Sequence, residues 1–100
     1  MSVMIEARFD ADPSRVEQAI RDNHDAIMAI VDRSKQQGCL HHRFYGEDGH
    51  VVSVDEWETP EAFQQFFSSD PDIPPVMAAA GVQGQPEVRV LRPLDVDDGF

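Results

Sequence analysis

The chain has little cysteine, little positive charge and no long apolar segment. Cys39 is the only cysteine among 100 residues, so an internal disulfide is excluded. No apolar run approaches the roughly 20 residues that cross a bilayer, which excludes a membrane-spanning protein. The first residues lack a basic segment followed by an apolar one, so we expect no signal peptide and a cytoplasmic location.

Basic residues are scarce beside acidic ones. The chain has 8 Lys and Arg against 19 Asp and Glu, a formal net charge of −11. Because proteins bind nucleic acids largely by neutralising phosphates with Lys and Arg, we expect neither nucleic acid nor an anionic membrane as a partner. A small neutral or cationic molecule, or another protein, is left open as a partner.

Hydrophobic periodicity divides the chain into alternating strands and helices. Alternating residues predict strands over 3–9, 39–45, 51–57 and 87–91. Helical spacing predicts one helix from Pro13 to about Gln37, a second from Pro60 to the break at Asp70, and a short third over 73–80. Asp12 and Thr59, each followed by proline, have the cap pattern of a helix start.

This order of elements predicts the α+β, ferredoxin-like β-α-β-β-α-β fold, with a four-stranded antiparallel sheet and its helices on one face. We assign residues 1–92 to this single domain and residues 93–100 to an acidic C-terminal tail. The other sheet face is uncovered, so we expect a homodimer in which two sheets stack as a dimeric α/β barrel.

Alternation along the second strand divides its side chains between the two sheet faces. We expect Leu40, His42 and Phe44 to face the helices and Cys39 to lie on the opposite face. The expected dimer face carries His41, Arg43, Tyr45, Ser53 and Trp57.

Two segments resemble the antibiotic biosynthesis monooxygenase family of dimeric α/β barrels. They are Gln37-Gly38-Cys39-Leu40, at the entry to a strand, and the stretch from Val54 to Phe63 around Trp57. The resemblance extends from Val3 to about Leu91. It implies the fold more strongly than the activity, since the family includes cofactor-free oxygenases, haem-degrading enzymes and proteins without an assigned reaction.

The resemblance can be examined at three positions that haem-degrading members use. Their strand asparagine, helix tryptophan and axial histidine correspond here to Ala7, Phe66 and Val76. Valine cannot ligate iron and alanine cannot hydrogen-bond a distal ligand, so haem degradation is disfavoured. We expect no cofactor and no metal, since the adjacent His41 and His42 point to opposite sides of a strand.

The other branch implies a cofactor-independent monooxygenase that oxidises a small hydroxylated aromatic, such as a quinol or an anthrone-like polyketide, with O₂. A pocket between helices and sheet would supply the base and the oxyanion donor. His42 lies between Leu40 and Phe44, and Asn23 lies within the apolar stripe of the first helix, so we assign these two as catalytic. The expected substrate-binding residues are Phe9, His24, Ile27, Phe44, Trp57, Phe63, Phe66 and Met77.

Each polar candidate also has a structural interpretation. His42 can be a packed histidine with one hydrogen bond, Asn23 can cap a backbone group, and His24 can lie in solvent. Two further functions therefore stand beside the oxygenase. One is a non-catalytic dimeric domain that binds a small hydrophobic ligand or a protein, and the other is a lyase or isomerase step on the same fold.

Overall fold

A computed structural model describes all residues from 1 to 100 and contains four strands and four helices. Every strand pairing is antiparallel, in the order β2-β3-β1-β4, which confirms the ferredoxin-like fold. The elements, in chain order, are β1 (Val3–Asp10), α1 (Pro13–Asp22), α2 (His24–Gln36), β2 (Cys39–Glu47), β3 (His50–Trp57), α3 (Pro60–Ser69), α4 (Ile73–Ala79) and β4 (Gln83–Leu91).

The helix starts follow the local sequence signals. The Asp12 side chain accepts a hydrogen bond from the Ser14 backbone N–H, and the Thr59 side chain accepts one from the Ala62 N–H. These contacts satisfy donors that have no partner within the helix. Gly38, with a φ of 110°, follows α2 in a conformation that a residue with a side chain rarely adopts.

The first predicted helix is in fact two helices, and Asn23 separates them. Its backbone has a φ of −116°, and its Nδ2 donates to the Ala19 carbonyl oxygen at 2.8 Å. Asparagine competes in this way for backbone groups and favours helix ends over helix interiors. The expectation of one continuous helix from Pro13 to Gln37 was therefore wrong.

A bulge near the start of β2 changes which side chains face the helices. Cys39 pairs with Trp57, whereas His41 pairs with Glu56, so Leu40 has no partner in the ladder. One extra residue reverses the alternation, because each strand residue points opposite to its neighbour. Cys39 thus lies on the helix-facing side with His42 and Phe44, and its assignment to the opposite face was wrong. Leu40 lies in the bulge and is exposed.

Strand β3 also presents a different face from the one expected. Ser53, Asp55 and Trp57 are all buried on the helix side, where Trp57 packs against Phe63 and Phe66 of α3. Burial of a tryptophan removes more apolar area from water than burial of a valine such as Val52 or Val54. The burial of Trp57 therefore decides which residues of the strand face the helices. The assignment of Ser53 and Trp57 to the dimer face was wrong.

The helices cover one face of the sheet through two small hydrophobic clusters. One cluster joins β1 and β3 to α3 and contains Ile5, Cys39, Trp57, Phe63 and Phe66. The other joins α1 to the start of β3 and the end of α4, and contains Ala11, Val16, Ala19, Val51 and Ala80. Residues 92–100 form neither helix nor strand and are exposed. No helix combines the length and the apolar character that crossing a membrane requires.

Candidate functional site

A cavity of about 540 Å³ lies between the sheet and the helices, in contact with both hydrophobic clusters. Its lining is predominantly apolar, as is usual for sites that bind small molecules. The cavity is lined by each of the pocket-wall residues expected from the sequence, namely Phe9, Ile27, Phe44, Phe63, Phe66 and Met77. Trp57 lines it as well, and Val76 and Met77 of α4 form part of its wall.

The catalytic candidate His42 lines this cavity from β2 and is paired with an acidic residue of β3. The two are cross-strand partners, and His42 Nδ1 donates to Asp55 Oδ1 at 2.6 Å. Because an ionised carboxylate only accepts hydrogen bonds, the Nδ1 atom carries a hydrogen, and Nε2 has a free lone pair in the neutral form of the imidazole. The ring meets Phe44 edge-on, with centroids 4.6 Å apart. Its packing and its hydrogen bond together orient the imidazole.

Asp55 is held by a second hydrogen bond from the same strand. Trp57 Nε1 donates to its Oδ2 at 3.2 Å, so both carboxylate oxygens have partners. The carboxylate side chain is only 10% exposed. A buried carboxylate is costly unless hydrogen bonds replace its contacts with water. His42 and Trp57 supply one such hydrogen bond each to Asp55. The three residues form a continuous hydrogen-bonded chain that ends at the cavity.

Ser53 is a further polar group in the lining. Ser53 is 6% exposed and pairs with Phe44 of β2. His42 lies two residues before Phe44, on the same face of the sheet. The Ser53 hydroxyl makes no hydrogen bond within the protein. Every side-chain nitrogen or oxygen that is completely buried does have a hydrogen-bond partner, so the Ser53 hydroxyl is not completely buried. It is open to the cavity that the residue lines.

Two residues expected at the site lie elsewhere. Asn23 uses its amide to donate to the Ala19 carbonyl oxygen between α1 and α2, and it is absent from the cavity lining. His24, at the start of α2, has a side chain that is 68% exposed and is also absent from the lining. The structure therefore does not bring Asn23 and His42 together.

Asp55 and Ser53 are polar groups of the cavity that were not expected from the sequence. Both share the parity of Val51 and Trp57 in β3, and that alternation was the available signal. If Trp57 is assigned to the core because it is large and apolar, the alternation of the strand also places Asp55 and Ser53 on the side that faces the helices.

The Cys39 thiol lines the cavity but has no nucleophilic character. Burial raises the pKa of Cys39, and the negative charge of Asp55 raises it further. Since the thiolate is the reactive form, the neutral thiol acts as a small apolar side chain.

Helix α4, which closes one side of the cavity, is tied to α2 by an ionic contact. Arg33 Nε donates to Asp70 Oδ2 at 2.7 Å, and its Nη2 donates to Asp72 Oδ2 at the same distance. The hydrogen bond from Arg33 lowers the pKa of Asp70, whose side chain is almost completely buried. The guanidinium thereby holds together the segment between α3 and α4.

The cavity lining contains no cluster of metal ligands and lacks the haem-binding pattern described above. No three of the chain's His, Cys, Asp and Glu side chains come together as a metal site. The three positions that correspond to the haem-binding pattern, Ala7, Phe66 and Val76, all line the cavity. None of their side chains can ligate iron, so these residues do not fit a haem.

The chain forms an α+β ferredoxin-like domain with an apolar cavity between its helices and its sheet. The sequence profile of a family described as antibiotic biosynthesis monooxygenase matches residues 2–71. The chain belongs to the antibiotic biosynthesis monooxygenase family. No curated protein matches it in sequence.

Solved structures share the fold over nearly the whole chain. A monooxygenase from Streptomyces coelicolor, in complex with nanaomycin D, has a TM-score of 0.66 at 16% identity, over 99% of this chain and 93% of that one. SnoaB, a cofactor-independent oxygenase from Streptomyces nogalater, has a TM-score of 0.64 at 17% identity, over 98% of both chains. A protein from Mycobacterium tuberculosis has 22% identity and a TM-score of 0.59, over 96% of this chain and 98% of that one.

Proposed function

We propose that this protein is a cofactor-independent monooxygenase that oxidises a small hydroxylated aromatic, a quinol or an anthrone-like polyketide, with O₂. The observation that carries the proposal is the His42 and Asp55 pair, 2.6 Å apart, at an apolar cavity of about 540 Å³. The proposal is also supported by membership of the monooxygenase family and by the fold shared with a cofactor-independent oxygenase.

The first step assigned to the protein is removal of a phenolic proton. His42 Nε2 accepts this proton because Nδ1 is already engaged by Asp55. The imidazolium that forms carries a positive charge, and the Asp55 carboxylate stabilises it at the moment it appears. Trp57 keeps the carboxylate in place by donating to its other oxygen.

The oxidation itself follows from the chemistry of the deprotonated substrate. The electron-rich aryloxide transfers one electron to O₂, and the radical and superoxide combine to form a carbon–oxygen bond. The imidazolium returns its proton, which gives a hydroperoxide, and loss of water leaves a carbonyl. For an anthrone, a CH₂ group and O₂ thus become C=O and H₂O, which balances atoms and electrons.

The protein is proposed to act as a homodimer that forms through the sheet face left bare by the helices. This face presents Arg43, Tyr45, Val52 and Val54 next to charged residues of β1 and β4. The single chain leaves Tyr45 more than half exposed on this face and leaves Val52 and Val54 partly exposed. Pairing of two such faces would bury Tyr45 and the valines.

Oxygen consumption tests the proposal. The purified protein is incubated with a panel of quinols and anthrones in an oxygen electrode, and one O₂ is expected for each substrate consumed. His42→Ala should lower turnover by about 10²–10⁴-fold, the usual contribution of a general base. His50→Ala is the matched control, because His50 lies at the β2–β3 hairpin and does not line the cavity.

Two outcomes would contradict the oxygenase proposal. One is absence of O₂ uptake with every quinol and anthrone that binds. The other is unchanged activity in His42→Phe together with a higher melting temperature, which would identify His42 as a packing residue. Ligand binding without O₂ uptake would favour the non-catalytic domain that binds a small hydrophobic ligand.

A further inference from the structure

Ser53 is a polar group of the cavity that takes no part in the proposed mechanism. The residue is only 6% exposed, lines the cavity, and has a hydroxyl that makes no hydrogen bond within the protein. Because the hydroxyl is open to the cavity, water can bond to it in the free protein, and a ligand that fills the cavity displaces that water. A ligand without an atom that replaces this hydrogen bond should bind about tenfold more weakly.

The position of Ser53 relative to His42 defines the shape of that ligand. Ser53 pairs with Phe44, and His42 pairs with Asp55, so Ser53 and His42 are diagonal neighbours on adjacent strands. Diagonal positions lie roughly 7–8 Å apart, with side chains on the same sheet face. A flat molecule on this face can thus reach both side chains at once, and it would also contact Phe44, which lies directly opposite Ser53.

The chemistry of the two groups defines what they bind. His42 Nε2 accepts a hydrogen, which requires a hydroxyl on the ligand. The Ser53 hydroxyl both donates and accepts, so it suits a second oxygen, either a carbonyl or a hydroxyl.

We infer that Ser53 is a substrate-binding residue that selects aromatics with two oxygen substituents over those with one. The inference rests on the proposed function for the role of His42, and it adds the second anchoring point. With His42 engaging the reacting hydroxyl, the Ser53 hydrogen bond fixes the orientation of the ring in its plane. One hydrogen bond alone would leave the ring free to rotate about that contact.

Binding under anaerobic conditions tests this inference without turnover. Naphthohydroquinone has two oxygens and naphthol has one, and titration calorimetry measures the affinity of both. Ser53→Thr and Ser53→Val are matched variants, since their side chains have the same shape and differ by the hydroxyl. We expect the wild-type protein and Ser53→Thr to prefer naphthohydroquinone by about tenfold, and Ser53→Val to lose this preference. Naphthol affinity should change less than about threefold across the variants, because naphthol uses His42 only.

Several results would overturn the inference. These are a preference that survives in Ser53→Val, an equal loss of both ligands, or no binding of either ligand to the folded wild-type protein. Thermal melting of each variant separates loss of folding from loss of binding. A preference that depends on Ser53, without O₂ uptake on any substrate, would support the inference while contradicting the oxygenase proposal.

Discussion

The chemistry of His42 depends on its two neighbours in the hydrogen-bonded chain. An isolated imidazole can carry its hydrogen on either nitrogen, and Asp55 selects Nδ1 by accepting from it. Trp57 is part of the hydrophobic core and also donates to Asp55, so the packing of the core sets the position of the base. Removal of any one member alters the orientation of the imidazole as well as its charge stabilisation.

The Asp55 carboxylate can be tested by an isosteric change. Asp55→Asn keeps the shape of the side chain but cannot stabilise an imidazolium, and its amide can force the other tautomer on His42. We expect turnover to fall by about 10²-fold, with ligand affinity less affected, since the charge appears only during the reaction. Steady-state kinetics measure the turnover of Asp55→Asn. The control is Asp48→Asn, which makes the same change in the exposed hairpin. Equal turnover in the two variants would show that Asp55 has no part in the reaction.

At the scale of elements, the cavity depends on how α4 is attached to the rest of the molecule. Helix α4 has only seven residues and none of them is fully buried, although Ile73 at its start packs against the hydrophobic core. The ionic contact of Arg33 in α2 with Asp70 and Asp72 adds an attachment just before the helix. Loss of that contact would loosen the helix and the part of the cavity wall that it forms.

The contact predicts a pH-dependent stability that is specific to Asp70. Its pKa is lowered in the folded protein, so the carboxylate stabilises the fold above the ordinary aspartate pKa of about 4. This stabilisation is lost as the pH falls through the lower folded value. We expect Asp70→Asn to reduce the free energy of unfolding by about 1.5–3 kcal/mol at pH 7, and the difference to shrink below pH 4.

Thermal or urea unfolding from pH 7 to pH 3 measures this difference. Asp32→Asn is the control, because Asp32 lies next to Arg33 in α2 and is exposed. A destabilisation by Asp70→Asn that stays constant down to pH 3 would show that the ion pair does not contribute. The same titration on Asp32→Asn should follow the wild-type curve.

The whole molecule combines a covered sheet face with a bare one, and it carries a net charge of −11. On the bare face, opposite charges are paired within the chain: Arg8 binds Glu47, and Arg89 binds Glu6. The half-buried Val54 lies between Arg43 and Glu6 in the middle of that face. Internal charge pairing reduces the repulsion that two acidic chains would otherwise experience on association.

The proposed dimer predicts a sensitive position at the centre of this face. We expect light scattering at micromolar concentration to give a dimer, and Val54→Lys to convert it to a monomer, because the interface would have to bury an additional charge. Val54 is already half-exposed in the single chain, so the variant should keep its circular dichroism spectrum. Gln64→Lys, on the exposed side of α3, is the control and should remain dimeric. A monomeric wild-type protein would contradict the proposal.

Much of the architecture follows from local sequence signals. The cap and proline pairs at residues 12–13 and 59–60 mark helix starts, and alternation over 3–9 marks a buried strand face. These features act over a few residues, through backbone hydrogen bonds and burial of one face. The ferredoxin-like order and the apolar cavity walls could be derived from them alone.

The polar groups of the site depend on tertiary structure. The bulge at Leu40 reverses the parity of Cys39, and the packing of Trp57 on α3 turns Asp55 and Ser53 inward. Neither effect is local, because each depends on which strand or helix lies opposite. The role of Asn23 also depends on the folded structure, since an amide within an apolar stripe can bind a ligand or a backbone carbonyl. At the break between α1 and α2, the Asn23 amide donates to the Ala19 carbonyl oxygen. The partner of His42 in the folded chain is Asp55.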